Sequence, residues 1–375
     1  MSIFVQIASY RDPQLIPTIQ DMLSNANYPE KLTICICNQY HPEDIFSLDE
    51  YRTDTRFIIL DVLYSETKGA CWARNKIQQH YGGQAYTLQI DSHMRFVKDW
   101  DKQMIDMMNN LQYNFEKPML TSYVSSFDPE NDPAGRNQEP WQMAFDRFIP
   151  EGTVFFLPET IPNWKQLTGP VHAKFYSAHF CFTLGKFCLE VPHDPNLYFH
   201  SEEMSITVRA YTNGYDLFHP HRVILWHEYT RKGRTKHWDD DKEWHQKNNS
   251  SHKRNRILFG MEEGVIEEYG FGKIKTLQDY EVYSGICFST RSIKDTLFSY
   301  CIDIPLEQFK ETDYDFWAVL FEKDGKEIYR NDATKEEMSQ CKLIRKFHTS
   351  EVPTQWVVWT HSVSKGWCER LTGIL

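Results

Sequence analysis

Through its first hundred residues the chain alternates short β-rich runs with stretches of helical periodicity, and this alternation most constrains its fold. Residues 3–8 form a strand-like run that ends in the polar turn Ser9-Tyr10-Arg11-Asp12. Asp12 and Pro13 suit an N-cap and a first helical position. Leu15, Ile16, Ile19, Met22 and Leu23 then recur at helical spacing. Residues 32–37 and 57–63 read as further strands, and Lys68-Gly69-Ala70 opens a helix running to Ile77. Residues 85–90 read as a fourth strand, leading into Asp91-Ser92-His93. Trp100, Met104, Met107, Met108 and Leu111 mark another helix, and residues 119–124 a fifth strand. Strands separated by helices imply a mostly parallel sheet covered on both faces.

Ligands of such sheets bind beyond the carboxyl ends of the strands. Four polar clusters fall at those ends: 9–12, 38–40, 64–69 and 91–93. Residues 125–170 read as an irregular excursion over the site, with apolar runs returning at 154–157 and 179–184. Residues 201–213 suit a helix stopped by Gly214, and 223–226 a short strand leading to His227. Residues 231–256 are densely charged. Acceptor-type loops are expected among 125–175 and 231–256. After about 270 the pattern changes to β-rich pieces at 283–288, 316–322, 341–347 and 356–361. The expected organisation is an α/β domain over 1–268 followed by a small β-rich accessory domain over 269–375.

A formal charge of −11 argues against general binding to nucleic acid or anionic membrane. Nine cysteines without a CxxC pair suit reduced thiols in the cytoplasm. Cys35 and Cys37 share one face of a strand. The start shows no signal peptide and no apolar run is long enough to span a bilayer, so no integral membrane segment is expected. The aromatic share of 15% is high; such rings line sugar and base sites, but large cores use them as readily.

In an extended segment Asp91 and His93 point the same way and can address one cation. Such a metal keeps positions open for phosphate oxygens, and Mg²⁺ or Mn²⁺ commonly neutralises a diphosphate leaving group. By itself an Asp at a strand end is more often a turn former; its place after a buried strand gives it weight. His227, after the apolar run VILW, is the third candidate ligand, and a mixed His/carboxylate set favours Mn²⁺ over Ca²⁺. Its bland alternative is a half-buried, hydrogen-bonded histidine. Ser201, Glu202 and Glu203 read first as a helix cap and acidic first turn, and second as carboxylates that orient a sugar or acceptor. Arg209, seven residues after Glu202, lies on the same helix face. Lys68 and Arg74 bracket a glycine-containing helix start that suits phosphate, or they are merely a solvated pair.

Together these residues resemble the glycosyltransferases that add N-acetylglucosamine to hydroxyproline of cytoplasmic proteins. They share a more distant pattern with the polypeptide N-acetylgalactosaminyltransferases. The resemblance is carried by IFVQIASYRDP (3–13), GACWAR (69–74), QIDSHMRFVKDWD (89–101), EVPHDPNLYFHSEEMSITVRAYTNGYDLFHP (190–220) and WHEYTR (226–231). It implies a glycosyltransferase-A fold, Rossmann-like, with a UDP-sugar donor, UDP-GlcNAc, and a retaining outcome. It places the Asp-x-His metal motif on Asp91 and His93 and the later histidine ligand on His227. Arg74 then resembles a donor-phosphate contact, with Lys68 as a possible helper, and Ser9, Tyr10 and Arg11 the uridine-side loop. Glu202, Glu203 and Arg209 take the catalytic positions. Ser201 stands where a glycine is usual, and its Cβ is expected to narrow the sugar pocket. The acceptor is expected to be a protein or glycan hydroxyl. A non-catalytic sugar-nucleotide or glycan-binding module of the same fold is the alternative, and a metal-dependent phosphohydrolase a third.

Overall fold

A computed structural model describes residues 1–293, 296–304, 313–349 and 351–375. The chain divides into two compact units, Met1–Ser284 with Phe288–Arg291, and Gly285–Cys287 with Ser292–Leu375. In the first unit, β1 (Ile3–Tyr10), α1 (Leu15–Asn25), β2 (Leu32–Tyr40), β3 (Phe57–Leu63), α2 (Ala70–Gln78) and β4 (Tyr86–Asp91) follow the expected alternation. After them come β5 (Met94–Phe96), α3 (Trp100–Leu111), β6 (Pro118–Thr121), β7 (Ser125–Ser126), β8 (Trp141–Phe148) and β9 (Val154–Thr160). The unit continues with β10 (Val171–His172), β11 (Phe180–Leu184), α4 (Phe187–Glu190), α5 (Glu202–Thr212), β12 (Asp216–His219) and β13 (Leu225–His227). Helices α6 (His237–Asp240), α7 (Trp244–Leu258) and α8 (Leu277–Ser284) close it.

Eight strands form one sheet in the order β10-β12-β6-β11-β4-β1-β2-β3. The pairs β1–β2, β1–β4, β2–β3 and β6–β12 are parallel. Strand β11 runs antiparallel to both β4 and β6, and β10 antiparallel to β12, so the sheet is mixed rather than mostly parallel across its whole width. Register sets Ala8 against Asp91 and Ser9 against Asn38, which brings the polar strand ends level. A second sheet, β5-β13-β7, pairs His227 with Met94 and so carries His227 to the segment that holds His93.

Strand alternation explains the two layers. Ile3, Val5 and Ile7 pack on one side with Ile19 and Met22 of α1 and Trp100, Met104 and Met108 of α3. Phe4, Cys35 and Cys37 pack on the other with Ala73 and Ile77 of α2. Burial pushes the thiols of both cysteines up to about 12, as befits inert core groups.

Three local expectations change. Helix α1 begins at Leu15, not Pro13, with Gln14 in the flanking position; Asp12 Oδ1 still accepts from Gln14 N at 2.9 Å, while its Oδ2 turns to Ser92 and His93. Residues 125–170 contain the antiparallel hairpin β8–β9, whose alternating apolar residues pack on Phe175 and neighbouring rings. Residues 277–284 are helical, since Tyr280 and Tyr283, three apart, both meet the Tyr211 ring on α5. Helix α8 therefore lies with the first unit.

The second unit pairs β14 (Ile286–Cys287) with β15 (Ser292–Ile293), and β16 (Thr296–Asp303) with β19 (Lys342–Thr349). Strands β17 (Tyr314–Lys323), β18 (Lys326–Arg330), β20 (Gln355–Ser362) and β21 (Gly366–Ile374) form an antiparallel sheet in the order β18-β17-β20-β21. Trp317, Val319, Phe321, Val358 and Leu371 make its core, and a capping box at Thr334 starts α9 (Lys335–Gln340). No helix among the described residues is long and apolar enough to cross a membrane.

Trp100 is fully buried and donates through Nε1 to Met22 O at 2.9 Å. Trp100→Ala opens a cavity between α1, α3 and the sheet, and is expected to cost about 3–5 kcal/mol in urea unfolding.

Candidate active site

The site is organised from α2. Gly69 has φ +106°, and a Cβ there would stand 2.7 Å from Tyr198 O, so only glycine lets the helix start against the 198 segment. One turn in, Arg74 is buried and bridges two carboxylates. Its Nη1 donates to Glu202 Oε2 at 2.7 Å and its Nη2 to Asp91 Oδ1 at 3.0 Å. These contacts hold the guanidinium charged.

Asp91, His93 and His227 meet at the end of β4, each offering a ligand atom within 4.8 Å of the others. His93 Nε2 lies 3.0 Å from His227 Nε2, and Asp91 Oδ2 lies 3.3 Å from His227 Nε2 and 3.6 Å from His93 Nε2. Asp12 accounts for the orientation of His93: its Oδ2 is 2.7 Å from His93 Nδ1 and accepts from Ser92 Oγ at 2.6 Å. Burial disfavours charge on Asp12, but its histidine, arginine and serine partners outweigh it and hold the carboxyl down at about 2. Asp91 likewise titrates well below the usual range: burial opposes the charge, and the His227 bond with the Arg74 and His93 charges overcomes it. Burial pushes His227 down to about 4, so its imidazole is neutral. Arg234 closes the set, with Nη1 2.9 Å from His93 Nε2 and Nη2 3.0 Å from Glu228 Oε2.

Two clefts share this cluster as a wall. The first is lined by Tyr10, Asp91, His93, Tyr198, His237 and Trp238, among others. Tyr10 Oη donates to Asp240 at 2.7 Å, and the Tyr10 and His237 rings lie 4.9 Å apart. The second, a cavity of about 600 Å³, is lined by Arg74, Asp91, Glu202, Glu203 and His227 together with several aromatic rings.

The sequence-predicted residues divide accordingly. Tyr10, Arg74, Asp91, His93 and His227 line the first cleft, and Glu202 and Glu203 the second. Ser9 is buried behind the first cleft, and Arg11 is paired with Asp44 and Asp240. Lys68 is exposed and lines neither cleft. Arg209 also lines neither: it is buried, donates to Gly270 O at 3.3 Å and lies over the Tyr269 ring. Ser201 does not cap α5 through its side chain. Its hydroxyl meets Thr153 and His252 instead, and the residue narrows neither cleft. Sequence reasoning gave Asp12 only a capping role and missed Arg234, Glu228 and His179. Glu228 directly follows His227, but Arg234 and His179 carry no local signal.

The sequence profile described as "Glycosyltransferase (GlcNAc)" matches residues 2–60 and 47–290. The chain belongs to this glycosyltransferase family. Its members transfer sugars, and the mixed sheet with strand ends gathered at one edge is their glycosyltransferase-A fold. Among solved structures, GalNAc-T7 with UDP, GalNAc and Mn²⁺ is 12% identical, with a TM-score of 0.52 over 100% of this chain and 72% of that one. That likeness is one of fold. TarS of S. aureus in complex with UDP-GlcNAc is 12% identical, with a TM-score of 0.42 over 72% of this chain and 68% of that one. No curated protein matches the chain.

Glu202 and Glu203 are neighbours in opposite circumstances. Glu202 is paired with Arg74, whereas among the described residues the Glu203 carboxylate accepts from Ala178 N at 3.0 Å and Tyr123 Oη at 3.1 Å. Burial pushes the Glu203 carboxyl from 4.5 up to about 7. The folded value exceeds the unfolded one, so its stabilising share is present below pH 4.5 and lost as pH rises through 7. Glu203→Gln removes the buried charge. The variant is expected to be more stable than the parent at about pH 8, by at most about 3 kcal/mol, with the gap closing at acid pH in thermal melts.

Proposed function

We propose that this glycosyltransferase moves N-acetylglucosamine from UDP-GlcNAc to a hydroxyl on a protein or glycan, with retention at the anomeric carbon and with a divalent cation. The observation that carries the reading is the meeting of Asp91, His93 and His227 beside Arg74 at the strand ends. The family's description and the UDP, GalNAc and Mn²⁺ of the GalNAc-T7 structure support the donor and cation classes.

The donor set fits such an ion. One carboxylate and two imidazoles suit Mn²⁺, with Mg²⁺ the harder alternative. Asp12 on Nδ1 turns Nε2 of His93 toward the cluster, the usual outer support of a metal-bound histidine. Bound there, the ion would neutralise charge on the departing diphosphate. Arg74 adds a fixed positive charge at the same edge, shielded from water. Tyr10 stands in the first cleft, where the uridine side would lie, with Ser9 and Arg11 shaping the turn behind it. Glu202, held by Arg74, and Glu203 present carboxylate oxygens to the sugar in the second cavity. Neither acts as a nucleophile in this reading; the leaving phosphate takes the acceptor proton. Arg209 takes no direct part, because it lies outside both clefts. The buried free thiols of Cys35, Cys37, Cys71, Cys181 and Cys188 support a reducing, cytoplasmic setting.

Donor hydrolysis with Mn²⁺, Mg²⁺ or chelator tests the proposal. Turnover is expected to need the cation and to fall by about 10²–10³ in Asp91→Asn and His227→Ala. Asp12→Asn is expected to weaken Mn²⁺ binding about 10–100-fold in a titration followed by electron paramagnetic resonance. Turnover that persists in chelator, or in Asp91→Asn at parental rate, would reject the metal assignment.

A further inference from the structure

The second cavity carries information about the acceptor. Much of its lining is aromatic: Trp141 and Phe155 come from the β8–β9 hairpin, Tyr123 from the segment before β7, Phe199 from the approach to α5, and Tyr229 from just after β13. These five rings are half-buried, so part of each surface faces open space. They are braced by one another and by histidines. Trp141 and Tyr229 lie 6.0 Å apart, Phe155 packs on His200 at 5.4 Å, and Tyr123 stacks on His179 at 5.1 Å. Tyr229 is pinned through its hydroxyl to Val124 O at 2.7 Å.

The same lining also carries acids. Asp91, Glu202 and Glu203 supply carboxylate oxygens, and among the described residues no lysine lines the cavity. Of its arginines, Arg74 is committed to Glu202 and Asp91, and Arg231 lies over the Trp238 ring. A phosphate or carboxylate entering here would meet three acids, with Arg231 the one lining guanidinium among the described residues outside the Arg74 ion pairs. An apolar chain would leave Glu203 without hydroxyl donors beyond Tyr123. A pyranose satisfies both surfaces, because its C–H faces stack on rings while its hydroxyls donate to carboxylates.

Resting on the glycosyl-transfer reading above, we propose that the acceptor is the terminal ring of a neutral glycan. That ring is seated in this cavity against Trp141 and Phe155 of the hairpin, with its hydroxyls toward the lining carboxylates. In the transfer, one acceptor hydroxyl oxygen bonds to the anomeric carbon of the donor sugar. The bond from that carbon to the diphosphate oxygen breaks, and the hydroxyl proton leaves with the diphosphate.

The test uses the full chain with UDP-GlcNAc and Mn²⁺ and three acceptor sets: methyl glycosides and short neutral oligosaccharides, peptides bearing Ser, Thr or hydroxyproline, and a polyol phosphate. Transfer is expected to a neutral glycoside. Trp141→Ala and Phe155→Ala are each expected to raise the KM for that glycoside about tenfold, the scale of one lost ring contact, with much smaller change in the KM for donor. Trp141→Phe, which keeps a ring, is expected to recover most of the loss and separates stacking from misfolding. Donor turnover with transfer only to peptide or polyol phosphate overturns the acceptor class and leaves the donor reading intact. So does an unchanged glycoside KM in both alanine variants. A parent enzyme that turns over no nucleotide sugar overturns the underlying reading itself.

Discussion

One buried guanidinium ties the edge of the candidate site together. Arg74 comes from α2, Asp91 from the end of β4 and Glu202 from the first turn of α5, and the two ion pairs fix these elements to one another. A single arginine between two carboxylates suits a buried site: its planar fork donates to both at once, and each acid gains a partner as it leaves water. Breaking such an arrangement is costly, because uncompensated buried charges remain. The same contact, after the bond to His227, helps to keep Asp91 ionised. It also explains why Gly69 matters, since any shift in the start of α2 moves the arginine with it.

From that anchor the two clefts acquire distinct characters. Arg74, Asp91, His227, Phe199 and Arg231 belong to both, so the clefts meet at the charged cluster. One side offers Tyr10, His237 and Trp238, with the Asp12–His93–Arg234 set beneath. The other offers rings and acids. A molecule lying across the cluster would place its charged middle against Arg74 and the candidate metal ligands and its two ends in unlike surroundings. A nucleotide diphosphate sugar has that layout.

What could be read in the sequence follows physical range. Strands β1 to β4 and the helices between them show local periodicity, and Asp91 and His93 stand at a strand end that periodicity locates. The antiparallel insertion of β11 between β4 and β6 has no local signature, because the run 179–184 is equally apolar in either direction. The β8–β9 hairpin hides among Pro, Asn and Asp residues that dominate the composition of its flanks. Asp12 looks like a helix cap because capping uses the same side chain that here holds His93, 81 residues away. Arg234 reaches His93 over 141 residues, and only the fold brings them together. Arg209 shows the converse failure: spacing put it on the face of Glu202, but α5 is buried nearly all round, so a shared face does not mean a shared cleft.

The adjacent carboxylates at the start of α5 show how environment divides roles within one dipeptide. Glu202 meets Arg74 and the Cys71 thiol, whereas Glu203 accepts from a backbone amide and a phenol and forms no ion pair among the described residues. Helix geometry separates neighbouring side chains by about 100°, enough to place one acid against the guanidinium and the other outside that ion pair, though both line the cavity. The first is then fixed in position by the arginine, and burial pushes the second up to about 7. An acid outside the ion pair can exchange hydrogen bonds with hydroxyl groups without breaking that pair, and that makes Glu203 the more adaptable of the two toward what enters the cavity.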